Sequence, residues 1–119
     1  SVPLDVALEG CAADGYRRAQ VRAALLAVLG AERTPEGGLG FFHPDALDFG
    51  APVRAGRLVA AAMTVPGVVS ARVTRLHRLF RPGPVAEELP IGPLEIAQCD
   101  NDPDRPEHGR LSITVRGGR

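Results

Sequence analysis

A run of acidic residues at 100–104 is the first place in this 119-residue sequence where side chains could do chemistry. Asp100, Asp102 and Asp104 alternate in a D-x-D-x-D pattern, and such carboxylates suit a hard cation such as Ca²⁺. An EF-hand loop would continue with Gly at its sixth position and Glu at its twelfth, where this chain has Arg105 and Leu111. We therefore expect a turn built on Asx side chains rather than a metal site.

The histidines and cysteines offer a second kind of chemistry, nucleophilic catalysis. A cysteine or serine nucleophile needs a histidine and an orienting acid close to it in space. No G-x-S-x-G motif, phosphate-binding loop or zinc-ligand spacing occurs in the sequence. We predict no catalytic residue, no cofactor and no metal. An enzyme would need a pocket that brings together residues from two groups: His43, Asp45 or His77, and Cys99 or the 100–104 turn.

Regularly spaced arginines form the strongest charge pattern: Arg72, Arg75, Arg78 and Arg81. On a strand with strict alternation, Arg72 and Arg78 share one face and Arg75 lies on the other. A sheet that stacks bases would need aromatic residues between the arginines, and only Phe80 is near. The balance of 14 basic against 14 acidic residues also argues against bulk nucleic-acid binding. We expect a charged strand that faces solvent or a partner protein.

Hydrophobic spacing predicts the elements that position these residues. Alternation over residues 2–8 predicts a first strand, and a 3.6-residue period over 17–30 predicts a helix. A second helix begins near Pro52 and ends before Pro66. A nucleic-acid surface would require the arginine face of the strand at about 68–79 to be exposed and continuous with Arg17, Arg18 and Arg22.

Three further strands are predicted: about 68–79, from Leu94 toward Cys99, and 111–115. The order β-α-α-β-β-β predicts an α+β fold, a two-layer sandwich whose mainly antiparallel sheet of about four strands carries both helices on one face. The length fits one domain over 1–119. No apolar run approaches the ~20 residues of a membrane span, and the first residues lack the layout of a secretion signal.

The segment 31–50 between the helices is rich in Gly and Pro and long for a compact domain, so we expect it to be functional or to pack on its own aromatic residues. Aromatic side chains are favoured at interface cores. Our candidate partner-binding residues are Phe41, Phe42, His43, Phe49, Arg72 and Arg78. The loops 36–50 and 81–93 and the exposed strand edges are the expected contact regions.

Several motifs along the chain carry a resemblance to a known family. They are GFFHPD, FGAPV, VPGV, IGPLEIAQCDNDP and VRGGR, together with PLDVALEGC and RRAQVRAALLAVLG near the start. The stretch from about Pro3 to Arg119 resembles the C-terminal region of baseplate assembly proteins of the baseplate J-like family, from contractile phage tails and related bacterial contractile injection systems. Members of that family are usually far longer, so the resemblance implies that 1–119 is the C-terminal domain of a longer wedge protein.

The resemblance implies a structural role without catalytic residues. The expected partners are other baseplate wedge, hub or sheath proteins, or further copies of the chain, with no nucleic acid and no membrane. The expected location is the bacterial cytoplasm during assembly and then the baseplate of a virion or injection particle. Two alternatives remain from the residues themselves: a small hydrolase-like or metal-dependent enzyme domain, and an arginine-mediated nucleic-acid-binding module. Within VPGV, Gly67 is expected at positive φ, in a turn between helix and strand.

Overall fold

The first strand lies at the middle of the main sheet, with neighbours on both of its edges. The computed structural model describes residues 1–119. The elements in chain order are β1 (Val2–Ala12), α1 (Arg18–Leu29), β2 (Val53–Arg54), α2 (Ala55–Ala62), β3 (Val68–Arg78), β4 (Glu88–Leu89), β5 (Ala97–Gln98) and β6 (Arg110–Gly117). Strand β3 pairs antiparallel with one edge of β1, and β5 and β6 pair parallel with the other.

The predicted α+β fold with two helices and a sheet of about four strands is confirmed. The sheet is mixed rather than mainly antiparallel as predicted, because β5 and β6 occupy successive positions on one edge of β1 and both run in its direction. The loop between them leaves the edge after Gln98 and returns to it at Arg110. A second, two-stranded sheet of β2 and β4 was not predicted.

The core lies between one face of the main sheet and the two helices. Alternate residues of β1, among them Leu4, Val6 and Leu8, point into it because of the two-residue period of a strand. Helix α1 contributes Leu25 and α2 contributes Leu58, both fully buried. Burying one such leucine stabilises the fold by about 1.5–3 kcal/mol. The opposite face of the sheet, which carries the other residues of β1, is called the outer face below.

The VPGV motif forms the turn between α2 and β3, as predicted. Gly67 has a φ of 88°, in the left-handed region that disfavours a side chain. A β-carbon at this position would also collide with the ring of Tyr16. The turn therefore needs glycine for both reasons, and it fixes where β3 begins.

Candidate functional site

The outer face carries the only buried charged side chain of the protein. Asp5 lies in β1, is 5% exposed, and sits between arginines from the two neighbouring strands. Arg110 of β6 donates from Nη2 to Oδ2 at 2.7 Å and from Nε to Oδ1 at 3.3 Å. Arg75 of β3 donates from Nε to Oδ1 at 2.8 Å, and from Nη2 to Ser112 Oγ at 3.1 Å. This Asp5 row ties three strands together.

A second row of the same kind lies further along the sheet. Glu9 of β1 accepts from Arg116 Nε of β6 at 2.6 Å and from Arg72 Nη2 of β3 at 3.4 Å. The side chain of Arg72 is 72% exposed and that of Glu9 25%, whereas that of Asp5 is 7% exposed, so the carboxylate of the Glu9 row is the more open to solvent. Each row holds two positive charges and one negative charge, which leaves the outer face with an excess of positive charge.

The two carboxylates are held in their ionised form. Burial raises the pKa of Asp5, but the hydrogen bonds from Arg110 and Arg75 lower it by more, so the net shift is downward. The pKa of Glu9 is lowered chiefly by its hydrogen bond from Arg116. A carboxylate shared between two guanidinium groups is a poor proton acceptor, and the arrangement serves structure rather than acid–base chemistry.

The prediction that Arg72 and Arg78 share a face is wrong. The β1–β3 register pairs Ala7 with Arg75 and Leu8 with Val73, so Thr74 is an extra residue at a β-bulge. One extra residue inverts the alternation of side chains beyond it, which brings Arg72 and Arg75 onto the same outer face. Arg78 instead bonds Glu95 at 3.2 Å and lowers the pKa of that carboxyl.

An open cleft of about 810 Å³ lies beside the Asp5 row. Its lining combines His77, Phe80 and several prolines with Asn101 and Asp102. The cleft thus brings a histidine close to the acidic turn, as the enzyme alternative required. His77 Nδ1 lies 2.7 Å from the Arg78 carbonyl oxygen, and Nε2 lies 3.9 Å from Asp5 Oδ2. Because a carbonyl oxygen only accepts, Nδ1 carries the hydrogen. Both ring nitrogens thus face oxygen atoms of the protein itself.

The thiol that an enzyme would use as nucleophile is buried. Cys99 is fully enclosed, and burial, with smaller contributions from Asp100 and Asp5, raises its pKa to about 12. A thiol with this pKa is not ionised near neutral pH and is a weak nucleophile. Cys99 does not line the cleft, so the structure does not bring this thiol next to His77 there.

The acidic segment forms the Asx turn that was predicted. Asp102 Oδ1 accepts from the backbone N–H of Asp104 at 2.9 Å, and Asn101 Oδ1 accepts from the N–H of Leu111 at 3.0 Å. Asn101 has a φ of 51°, a conformation that asparagine tolerates better than most residues. No group of three or more His, Cys, Asp or Glu side chains is arranged to hold a metal ion.

The candidate residues of the 36–50 loop fall into different environments. Phe42 is 1% exposed and belongs to the core, so the expectation that it contacts a partner is wrong. Its backbone N–H donates to Gly30 O, and its buried ring anchors the loop. Phe41 is half-buried and meets Phe42 edge to face, with ring centroids 5.0 Å apart. His43 Nδ1 accepts from the Asp45 N–H. Phe49 is 71% exposed and stays a candidate.

Two further exposed apolar residues were not among the predicted candidates. Phe80 is 86% exposed at the rim of the cleft, and Leu94 is 89% exposed. Leu94 was predicted to begin a strand, but the observed β5 starts only at Ala97. The preceding Gly92-Pro93 pair was the available signal, since a Gly-Pro dipeptide marks a turn, and Pro93 and Leu94 lie in one.

Comparison of the chain with protein-family models finds no match, and comparison with curated proteins finds none either. Neither helix combines the length and the apolar character that crossing a bilayer requires. The observations from which a function can be inferred are thus the charged outer face, the cleft beside it and the exposed apolar residues.

Proposed function

We propose that this chain is a non-enzymatic assembly module of the baseplate wedge of a contractile tail or injection system, and that it acts through contacts with other proteins. The observation that carries the proposal is Phe80. This large aromatic residue is 86% exposed and has a φ of 62°, in the left-handed region. Such a conformation costs a non-glycine residue about 1–2 kcal/mol. Strained residues of this kind cluster where a protein binds something.

Other exposed apolar side chains support contact with a protein rather than with a small polar ligand. Phe49 and Leu94 lie on loops and are 71% and 89% exposed, so little of either side chain packs against the rest of the protein. Exposed aromatic residues surrounded by polar ones are typical anchors of protein interfaces. The specific assignment to a baseplate wedge is supported by the family resemblance of the motifs from GFFHPD to VRGGR.

The alternatives are less well supported by the geometry. An enzyme is disfavoured because Asp5 and His77 are engaged with protein groups and the Cys99 thiol is buried. A nucleic-acid surface is disfavoured because the chain has as many acidic as basic residues, 14 of each. Strand β3 also contains no Phe, Tyr or Trp on which a base could stack.

The proposal is tested by capture of the proteins encoded beside this chain. The immobilised chain is expected to retain a sheath, hub or second wedge protein. Retention should fall in a Phe80→Ser, Leu94→Ser double variant and persist in Met63→Ser, a matched control that removes an exposed apolar residue at the end of α2. Failure of the folded chain to retain any of these proteins would contradict the proposal.

A further inference from the structure

The two outer edges of the main sheet differ in how their backbone groups are satisfied. On β6, side chains from outside the sheet bond the edge: Asn101 accepts from the Leu111 N–H at 3.0 Å, Arg22 Nε donates to Ile113 O at 3.0 Å, and Arg18 Nη1 donates to Gly117 O at 2.8 Å. Capping of this kind prevents another strand from pairing with an edge.

The edge of β3 has no such caps. From Val69 to His77, the backbone makes no hydrogen bond to a side chain and none to any backbone segment other than β1. Every second residue of an edge strand directs its N–H and C=O away from its neighbour. Strand β3 is 11 residues long with a bulge at Thr74, so it presents free donors and acceptors in two short rows, one on each side of the bulge. Val69, which lies on this strand, is exposed as well.

The side chains beside this edge are basic. Strand β3 contains Arg72, Arg75, Arg78 and His77 and no acidic residue. Arg72 and Arg75 share the outer face, and Arg72 is held only by the 3.4 Å contact with Glu9. Pairing of β3 with the same strand of a second copy would bring two sets of arginines together, and like charges opposed across strands are destabilising.

We propose that the free edge of β3 binds an extended segment of a partner protein by strand addition, and that this segment has acidic residues at alternate positions, facing Arg72 and Arg75. The inference rests on the proposed assembly function and specifies its surface and its partner. Main-chain hydrogen bonds along the edge would supply the affinity, and the alternate carboxylates would supply the selectivity.

The probe is a synthetic peptide of about nine residues, the length of an ordinary strand, with Glu alternating with Thr and Val. Binding to the full chain is measured by calorimetry, and the site is located by hydrogen exchange. We expect slower exchange of β3 amides and no change along β6. A peptide with Lys in place of Glu should bind roughly tenfold more weakly, since two cross-strand charge pairs change sign.

Two variants of the experiment separate strand addition from simple charge attraction. A Glu peptide that is N-methylated on alternate amides keeps its charge and loses the donors, so we expect no binding. In Arg72→Glu, the ratio of the affinities for the Glu and Lys peptides should shift toward the Lys peptide. The Arg72 side chain is mostly exposed, so the fold should tolerate the change. Equal binding of the methylated peptide, or protection located away from β3, would overturn the proposal.

The same variant distinguishes this inference from the proposed function. Capture of co-encoded proteins by Arg72→Glu at the wild-type level would overturn strand addition and leave the assembly function standing. Protection of β3 amides by the Glu peptide, with no co-encoded protein captured, would support strand addition and contradict the assembly function. Dimerisation through β3 in light scattering, or protection of β3 by a DNA oligonucleotide but not by the Glu peptide, would also overturn the proposal.

Discussion

Arg110 donates to Asp5 through two hydrogen bonds, the shorter of 2.7 Å, although the two residues are 105 positions apart in the sequence. The pair joins the first strand of the chain to the last, and Arg75 adds the strand on the other side. Because one carboxylate accepts from both guanidinium groups, Asp5 links the side chains of three adjacent strands on the outer face. One of these strands is β3, whose free edge we propose as a binding site.

Replacement of Asp5 tests this role in stability. Asp5→Asn keeps the size of the side chain and removes the charge that both arginines share, so we expect a loss of about 1–3 kcal/mol in the free energy of unfolding. Glu9→Gln is the matched control, and we expect a smaller loss because its arginines are well exposed. Urea unfolding followed by circular dichroism measures both. Equal stability of Asp5→Asn and wild type would contradict the assigned role.

The stability conferred by Asp5 should depend on pH. Because its pKa is lowered in the folded chain, its contribution is fully present above the ordinary Asp pKa of about 3.9 and is lost as the pH falls through the folded value. We expect the difference in unfolding free energy between wild type and Asp5→Asn to be constant from about pH 7 to 5 and to narrow below about pH 4. Glu9 and Glu95 titrate in both proteins and cancel in this difference. A difference in unfolding free energy between wild type and Asp5→Asn that stays constant down to about pH 2 would contradict the prediction.

The turn before β3 is a second sensitive point. Gly67→Ala places a side chain at positive φ and against Tyr16, so we expect a destabilisation of at least about 1–2 kcal/mol. Gly56→Ala is the matched control: a β-carbon there meets nothing within 4 Å, and the residue lies in α2. That change should stabilise the protein by about 0.4–1 kcal/mol. Thermal melting compares the two variants, and the same melting temperature for both would contradict the account.

Two aromatic residues of the 36–50 loop, Phe42 and Phe49, should differ in how much they contribute to the free energy of unfolding. Phe42→Ala leaves a cavity in the core, and we expect it to cost about 3–5 kcal/mol. Phe49→Ala removes a ring that is 71% exposed, and we expect a change within about 0.5 kcal/mol. Both are measured by urea unfolding. Similar losses for the two variants would show that Phe49 also packs against the fold.

The two cysteines should differ in reactivity. Cys99 is enclosed and its pKa is raised to about 12, so a thiol reagent such as DTNB should not modify it in the folded protein. Cys11 is partly exposed and accounts for any native reaction. In denaturant both thiols should react. Fast native modification of a Cys11→Ala variant would contradict the burial of Cys99.

Much of the fold could be predicted from the sequence because its main elements have strong periodic patterns. The alternation in β1 and the 3.6-residue period of α1 each mark a buried face, and both elements form where expected. The parallel pairing of β6 with β1 depends on contacts between the two ends of the chain, and no local pattern encodes it. The two-residue strands β2 and β4 are too short to show any period.

The candidate site was harder to predict because it depends on register. The bulge at Thr74 decides which arginines share a face, and strict alternation gave the wrong set. Asp5 was missed because it occupies a position that alternation assigns to solvent, whereas the arginines of two neighbouring strands cover it. The signal that was available was a pair of acids, Asp5 and Glu9, on one face of a largely apolar strand, in a chain whose other long strands carry arginine.

The most direct test of the central claim is cross-linking mass spectrometry on contractile particles purified from cells that encode this chain. We expect the chain to be present in the baseplate fraction. We also expect the loops carrying Phe80 and Leu94 to cross-link to another baseplate protein. Particles that contain sheath and hub but lack this chain would contradict the claim, as would a chain found only outside the particles.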